Sequence, residues 1–313
     1  MARADRCPPH REAVRFRRLA VLASTAVTAA WLAFRRRPAP GRFTRRIFVA
    51  RAGTRFYHLY LPKVYRGQSL PLVVMLHGCK QSPEDFAAGT RMNQAADELG
   101  FIVAYPGQAW RANVERCWNW FRERDQQRDA GEPAIIAGIT RQVLARFNVD
   151  VRRVYIAGLS AGGSMAAIMA TTYPELYAAV GIHSGLPYAS ARGAATAAAA
   201  MRYKRLGAAA PPPAIPTIVF HGDADTTVHP SNGQYATAGA EVHSETGEAG
   251  GRSYTRSRCR GASLLEHWLV HGAGHAWSGG DGNASFADPK GPDATGEMLR
   301  FFFLAQRPEE RLA

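Results

Sequence analysis

The strongest constraint on the fold is a series of short, continuously apolar runs, each about as long as one strand. Runs without polar alternation are typical of parallel strands that are buried on both faces of a sheet. They occupy residues 70–78, 101–106, 153–158, 178–185, 216–222 and 264–270. Stretches with helical spacing lie among them, at residues 92–100, 132–150, 164–174 and 293–306. This alternation predicts an α/β domain with a doubly wound, mostly parallel sheet and helices on both faces.

The remaining segments of the chain fit around this pattern. Residues 46–62 alternate with period two on either side of Ala52-Gly53 and predict two strands joined by a turn. Two long segments, 186–215 and 231–262, are Ala/Pro-rich and polar Gly-rich respectively. We expect them to form lids or surface loops, with a merely floppy excursion as the alternative for each. No composition break divides the rest, so we expect one domain over residues 47–313.

The first 46 residues form a separate basic leader and linker. They contain twelve arginines against Asp5 and Glu12, which accounts for +10 of the total net charge of +14. Because the remaining chain carries only about +4, nothing in it indicates nucleic-acid binding. Arg17-Arg18 precede an uncharged run at residues 19–34, an arrangement that favours export by a signal peptide or anchoring at a membrane. The alternative is a disordered basic leader on a cytoplasmic protein.

The most informative motif is "IAGLSAGGS", which lies between a predicted strand and a predicted helix. Its Gly158-x-Ser160-x-Gly162 pattern is typical of a nucleophile elbow, a sharp turn that presents a serine above a sheet. The glycines leave room where two backbone segments approach closely. We therefore expect Ser160 to be a nucleophile. The motif lacks the glycine spacing of a dinucleotide-binding turn.

A nucleophilic serine needs a histidine base and a carboxylate that orients it, in the chain order Ser, acid, His for this elbow. Asp225 and His275 are the favoured pair. Asp223 lies at the end of its strand and is expected to shape the turn. His271 is also still at a strand end, whereas His275 follows a flexible Gly-Ala-Gly. Glycines at this point argue against a helical pair of metal ligands, so no metal site is expected.

The oxyanion of an acyl-transfer reaction needs two hydrogen-bond donors. The backbone amides of Ala161, directly after the nucleophile, and of Cys79, in the loop after residues 70–78, are the candidates. His77 is expected to be structural.

The segment "RCWNWF" (116–121) surrounds Cys117 and Asn119 with aromatic residues. It is interpreted either as a hydrophobic plug or as a platform for substrate. If the protein is exported, a Cys79–Cys117 disulfide would tether this segment to the oxyanion loop. The sequence leaves open whether that bond forms.

Five motifs together resemble the esterase family of poly(3-hydroxybutyrate) depolymerases and its feruloyl and acetylxylan esterase relatives. They are "MLHGCKQ" (75–81), "CWNWF" (117–121), "GLSAGGSM" (158–165), "HGDADTTV" (221–228) and "GHAWSGG" (274–280). The resemblance implies an α/β-hydrolase fold and a serine carboxylester hydrolase without a metal or other cofactor. It also implies a triad of Ser160, Asp225 and His275, with Cys79 and Ala161 as oxyanion donors. Trp118 and Trp277 would then lie near the substrate, beside Asn119.

The predicted partner of this domain is therefore an ester substrate, with membrane contact only through the N-terminal segment. Because the sequence ends soon after its last motif, we expect no separate polymer-adsorbing domain. We therefore expect soluble hydroxyalkanoate oligomers or short acyl esters as substrates. Feruloyl or acetyl esters of plant polysaccharides are the alternative. The predicted location is periplasmic or extracellular.

Overall fold

The computed structural model describes residues 41–203, 213–234, 241–260 and 264–308. The predicted leader lies outside the described residues apart from its last six positions, 41–46. Among the described residues, no helix is both long and apolar enough to cross a membrane.

Ten strands form one sheet in the order β1-β2-β4-β3-β5-β6-β7-β10-β9-β8. Their bounds are β1 Arg42–Ala50, β2 Gly53–Leu61, β3 Leu70–Leu76, β4 Ile102–Pro106, β5 Val149–Leu159, β6 Ala179–His183, β7 Thr217–Gly222, β8 His243–Ala249, β9 Arg252–Arg260 and β10 Leu264–Val270. The six central strands, from β4 to β10, are parallel. The predicted doubly wound, mostly parallel sheet is confirmed.

Helices cover both faces of this sheet. They are α1 Pro83–Thr90, α2 Met92–Leu99, α3 Gly131–Arg146, α4 Ala161–Thr172, α5 Ala194–Arg202 and α6 Ala294–Leu304. Helices α3 and α4 bury their apolar side chains in the core on one face. Helices α1, α2 and α6 contribute to the core on the other face. The predicted helix over 132–150 ends earlier, at Arg146, because β5 already begins at Val149.

The expectation of a loop or lid over residues 231–262 is wrong for much of that segment. Strands β8 and β9 form an antiparallel hairpin that extends the sheet beyond β10. All seven β8 residues are exposed or half-buried, and Glu245 forms ion pairs with Arg256 (3.2 Å) and Arg258 (2.9 Å). A polar edge strand has no buried face, so the apolar pattern that marks the central strands is absent here.

The parallel strands end at one edge of the sheet, and the loops that follow them meet there. The loop after β3 begins at His77, the elbow follows β5 at Ser160, and Asp223 and His271 follow β7 and β10. Because parallel strands bring their carboxyl ends together, this edge collects residues that are far apart in the sequence. Two short strands, β11 (Trp277–Ser278) and β12 (Ala287–Asp288), form a separate two-stranded sheet.

Candidate active site

Ser160 lies between β5 and α4 in a strained backbone conformation, with φ 57° and ψ −120°. A non-glycine residue held there costs free energy, and such strain is concentrated at functional sites. The flanking glycines make the turn possible. A Cβ at residue 162 would collide with the carbonyl oxygen of Leu76, and one at residue 158 would collide with the backbone of Gly162. The sequence therefore forms the predicted elbow.

Asp225 and His275 meet across two loops. His275 Nδ1 donates to Asp225 Oδ2 at 2.7 Å, and their side chains are 11% and 0% exposed. Asp225 Oδ1 accepts from the backbone amides of Thr227 and Val228, each at 2.8 Å. The carboxylate is therefore fixed from both sides, and it holds the imidazole of His275 through Nδ1.

A second histidine also reaches this carboxylate. His221 Nε2 lies 3.3 Å from Asp225 Oδ2 and 2.9 Å from the carbonyl oxygen of Val228. Burial raises the pKa of Asp225, but the hydrogen bonds from His221 and His275 outweigh burial and bring the pKa below its usual range. Asp225 therefore remains ionised over the working range of a histidine base.

His183, at the end of β6, connects the elbow to the loop that carries His275. Its carbonyl oxygen accepts from Ser160 N at 2.8 Å, and its Nε2 accepts from Ser278 N at 3.0 Å. Burial, together with the neighbouring imidazoles of His221 and His275, lowers the pKa of His183 to about 3. The ring is therefore neutral, which its acceptor role requires. No hydrogen bond joins Ser160 to His275 within the described residues. Catalytic contacts of this kind often tighten only when substrate binds.

The loop after β3 lies beside the elbow. A Cβ built on Gly78 would lie 3.6 Å from the Cβ of Ser160. No hydrogen bond within the described residues uses the amide of Cys79 or that of Ala161. His77 holds the loop, because its Nδ1 donates to Gly78 O (2.7 Å) and its Nε2 accepts from Gln108 N (3.0 Å). Burial lowers its pKa to about 4, so His77 is structural, as expected.

Cys79 and Cys117 form a disulfide. The bond connects the loop after β3 to the aromatic segment 117–121, and the backbone amide of Lys80 adds a hydrogen bond to Glu115 O at 2.6 Å. The pairing considered from the sequence is therefore present.

Asn119 makes contacts within the protein. Its amide N and its Nδ2 donate to the carboxylate of Glu132, at 2.7 and 2.6 Å, and Gln108 Nε2 donates to the same group. Burial raises the pKa of Glu132, and these donors oppose that shift. This buried network fixes the aromatic segment, and a contact between Asn119 and substrate stays a prediction.

The two tryptophans that were expected near substrate are buried. Trp277 stacks on His183 with ring centroids 5.0 Å apart, and its Nε1 donates to Thr295 Oγ1 at 3.1 Å. Trp118 contacts His77, and its buried Nε1 has no hydrogen-bond partner among the described residues. Each ring therefore packs against a histidine that holds a loop of the site. Their predicted contact with substrate also stays a prediction.

Sequence reasoning missed two residues that order the site. Gln81 Oε1 accepts from Gly78 N at 2.9 Å, and Gln81 Nε2 donates to Ser285 O at 2.9 Å. Glu132 gathers the network around Asn119. Gln81 is the last residue of the motif MLHGCKQ (75–81), which was the available signal. Glu132 stands in the first turn of α3 and resembles any acid that favours a helix start.

Asp223 and His271 form a second pair in the same two loops. His271 Nδ1 donates to Asp223 Oδ2 at 2.7 Å, and Asp223 Oδ1 accepts from Gly272 N at 2.7 Å. Their side chains are 38% and 36% exposed. Asp223 thus shapes the turn, as expected from its place at the strand end.

The sheet, the elbow and the buried Asp225–His275 pair define an α/β-hydrolase. The structure of acetyl xylan esterase from Aspergillus awamori has the same fold, with a TM-score of 0.66 and 18% identity over 85% of this chain and 100% of that one. A family model described as Esterase PHB depolymerase matches residues 55–243, which is more than half of the chain. The chain belongs to this family, as its motifs predicted.

Curated relatives carry three kinds of name. Feruloyl esterase B of Neurospora crassa is 37% identical over 127 residues, which cover 40% of this chain and 42% of that protein. Poly(3-hydroxyalkanoate) depolymerase C of Paucimonas lemoignei is 34% identical over 177 residues, which cover 52% and 42%. Acetylxylan esterase A of Talaromyces purpureogenus is 28% identical over 200 residues, which cover 58% and 51%. The chain thus spans about half the length of these relatives or less.

Proposed function

We propose that this protein is a serine carboxylester hydrolase in which Ser160, His275 and Asp225 form the catalytic triad. The observation that carries the proposal is the buried Asp225–His275 hydrogen bond of 2.7 Å at the sheet edge where the strained Ser160 lies. A buried, ionised carboxylate fixes the tautomer of the histidine and stabilises its charged form.

The proposed reaction proceeds through an acyl-enzyme. Ser160 Oγ attacks the ester carbonyl carbon while His275 Nε2 takes the hydroxyl proton. The amides of Cys79 and Ala161 bind the oxyanion, which needs donors that are already in position. His275 then gives its proton to the leaving alcohol. A water molecule, deprotonated by His275, releases the acid and restores Ser160. The proposed steps use only these side chains, backbone amides and water.

The proposed substrates are hydroxyalkanoate oligomers or short acyl esters. Membership of the family and the similarity to poly(3-hydroxyalkanoate) depolymerase C support this class. A second candidate is a feruloyl or acetyl ester of a plant polysaccharide, which the similarity to feruloyl esterase B favours. In either case the proposed substrate contacts are Trp118, Asn119 and Trp277. Because all three residues are buried, such contacts would require the surrounding loops to rearrange.

The test is hydrolysis of p-nitrophenyl acetate, butyrate and octanoate by the full chain and by Ser160→Ala. We expect activity that the substitution abolishes, and covalent labelling of Ser160 by a fluorophosphonate. Ser244→Ala, an exposed serine on β8, is the matched control and keeps both. 3-Hydroxybutyrate oligomers and methyl ferulate then separate the two substrate classes. A folded protein that hydrolyses no ester and resists the fluorophosphonate would refute the proposal.

We also propose that the protein is exported. The arginine-flanked apolar run of the leader supports this location, and so does the disulfide, because disulfides persist in oxidising compartments. Cell fractionation tests it: a full chain found with the cytoplasmic markers, with both cysteines reduced, would contradict export.

A further inference from the structure

A second feature at the carboxyl edge of the sheet is a pocket of about 900 Å³. One wall is the β1–β2 hairpin with Arg45 and Phe56, and the other is the segment after β4 with Trp110, Arg111 and Arg116. Strand β2 runs antiparallel to β4, so its amino end reaches the edge at which β4 ends. We call this cavity the arginine pocket.

The arginine pocket adjoins the loop that faces Ser160. Gln81 and Gln108 line the pocket. Gln81 also binds the amide of Gly78 at 2.9 Å, and the amide of Gln108 binds His77 at 3.0 Å. A ligand in the pocket therefore lies against the same residues that order the proposed oxyanion loop.

The charge of the pocket wall is strongly positive. Four arginines line it, against the single carboxylate of Glu84. Arg55 already forms hydrogen bonds within the protein, because it donates to Gln108 (3.1 Å) and to the carbonyl oxygen of Thr54 (3.0 Å). Arg45, Arg111 and Arg116 are exposed, and none forms an ion pair with a carboxylate of the described residues. Glu84 lies 3.1 Å from His58 Nε2. Three guanidinium groups are thus available to an anion.

The wall is also aromatic. Trp110 is 61% exposed and Phe56 is 47% exposed. The guanidinium of Arg45 lies 3.7 Å above the Phe56 ring, and that of Arg111 lies 5.4 Å from the Trp110 ring. Stacking of this kind orients a guanidinium and leaves its N–H groups for a carboxylate. The pocket therefore fits a short chain that is apolar along its length and anionic at one end.

We propose that the arginine pocket binds the free carboxylate of a short hydroxyalkanoate oligomer while an ester bond of that oligomer lies at Ser160. The inference rests on the proposed esterase function and narrows its substrate. An uncharged ester lacks the group that the arginines bind, whereas the acid end of an oligomer offers two oxygens to a guanidinium. The protein would then prefer oligomers with a free acid end.

The experiment compares the 3-hydroxybutyrate trimer as a free acid with its methyl ester, using the full chain. We expect a kcat/KM about tenfold higher for the acid, expressed through KM, because one charge-assisted contact is worth about that factor. The advantage should shrink as sodium chloride is added. In the double variant Arg111→Gln, Arg116→Gln, the ratio of the two kcat/KM values should fall towards one. Arg42→Gln, an exposed arginine on β1 that does not line the pocket, is the matched control and keeps the ratio.

Equal kcat/KM values for the acid and the methyl ester in the wild type would overturn the assignment, as would a ratio that the double variant leaves unchanged. Binding of both trimers to Ser160→Ala, measured by calorimetry, keeps the two proposals apart. Tighter binding of the acid that depends on Arg111 and Arg116, without hydrolysis by the wild type, would refute the esterase and retain the pocket. Hydrolysis of the methyl ester, without preferential binding of the acid, would retain the esterase and refute the pocket.

Discussion

The loops after β7 and β10 are joined by two aspartate–histidine pairs, Asp225–His275 and Asp223–His271. Both hydrogen bonds are 2.7 Å long, and both use the histidine Nδ1. The Asp225 side chain is 0% exposed, whereas the Asp223 side chain is 38% exposed. Residue type and distance therefore do not distinguish the pairs. Burial does, because water weakens the outer pair and leaves the inner one at full strength.

The largest expected difference is between the two histidines. His275→Ala should reduce kcat by about 10⁶, because the proposed base is lost. His271→Ala removes an exposed imidazole of the same kind and should change kcat by no more than about twofold, since surface substitutions have small effects. Steady-state hydrolysis of p-nitrophenyl butyrate measures both. If the two variants lost activity equally, the inner pair would have no special role.

The second largest difference in kcat is expected between variants of the two aspartates. Asp225→Asn should lower kcat by about 10⁴, because the amide no longer fixes the useful tautomer of His275. Asp223→Asn keeps an acceptor for Gly272 N and should leave kcat within about twofold. Kinetics of the folded variants, checked by circular dichroism, decide this. A mild effect at Asp225 would mean that another group orients His275.

A smaller loss is expected at His221, which touches the inner carboxylate only. His221→Phe keeps a ring but removes the donor 3.3 Å from Asp225 Oδ2. Loss of one buried hydrogen bond corresponds to about a tenfold fall in kcat. His271→Phe is the matched control on the outer pair. We would measure kcat and KM separately, and a change confined to KM would contradict a role in positioning the carboxylate.

The burial of three histidines should also appear in the pH dependence of stability. Burial lowers the pKa of His77 to about 4 and that of His183 and His267 to about 3, from 6.5. Below pH 6.5 the unfolded chain binds protons that the folded chain does not, so the free energy of unfolding falls as pH drops towards about 4. Each buried histidine contributes at most about 1.4 kcal/mol per pH unit.

Urea unfolding between pH 7.5 and 4.5 measures this slope. His267→Phe should reduce it by about one proton, whereas Ser244→Ala, which removes an exposed hydroxyl on β8 and no titrating group, should leave it unchanged. An unaltered slope in His267→Phe would show that this histidine is protonated in the folded protein.

The central sheet was predictable from the sequence because every central strand is buried on both faces and is therefore continuously apolar. The β8–β9 hairpin was not predictable, because its side chains are mostly polar and exposed or half-buried, and so they form no apolar pattern. The hairpin joins the sheet because β9 pairs with β10. For the site, the motif predicted the elbow, and the structure brings Asp225 to His275. The direction of a side chain could not be predicted from the sequence, because a tryptophan two residues after His275 can face either a cleft or the core. Trp277 faces the core.

The strained serine of the elbow implies a conflict between durability and turnover. A φ of 57° with ψ −120° suits glycine, and a non-glycine residue there costs about 1 kcal/mol or more. Ser160→Gly should therefore raise the melting temperature by a few degrees while removing the proposed nucleophile. At this position the chain keeps a residue that weakens the folded state. Selection for thermal tolerance alone would tend to erase it, so any search for hardier variants has to be screened by hydrolysis as well as by heat.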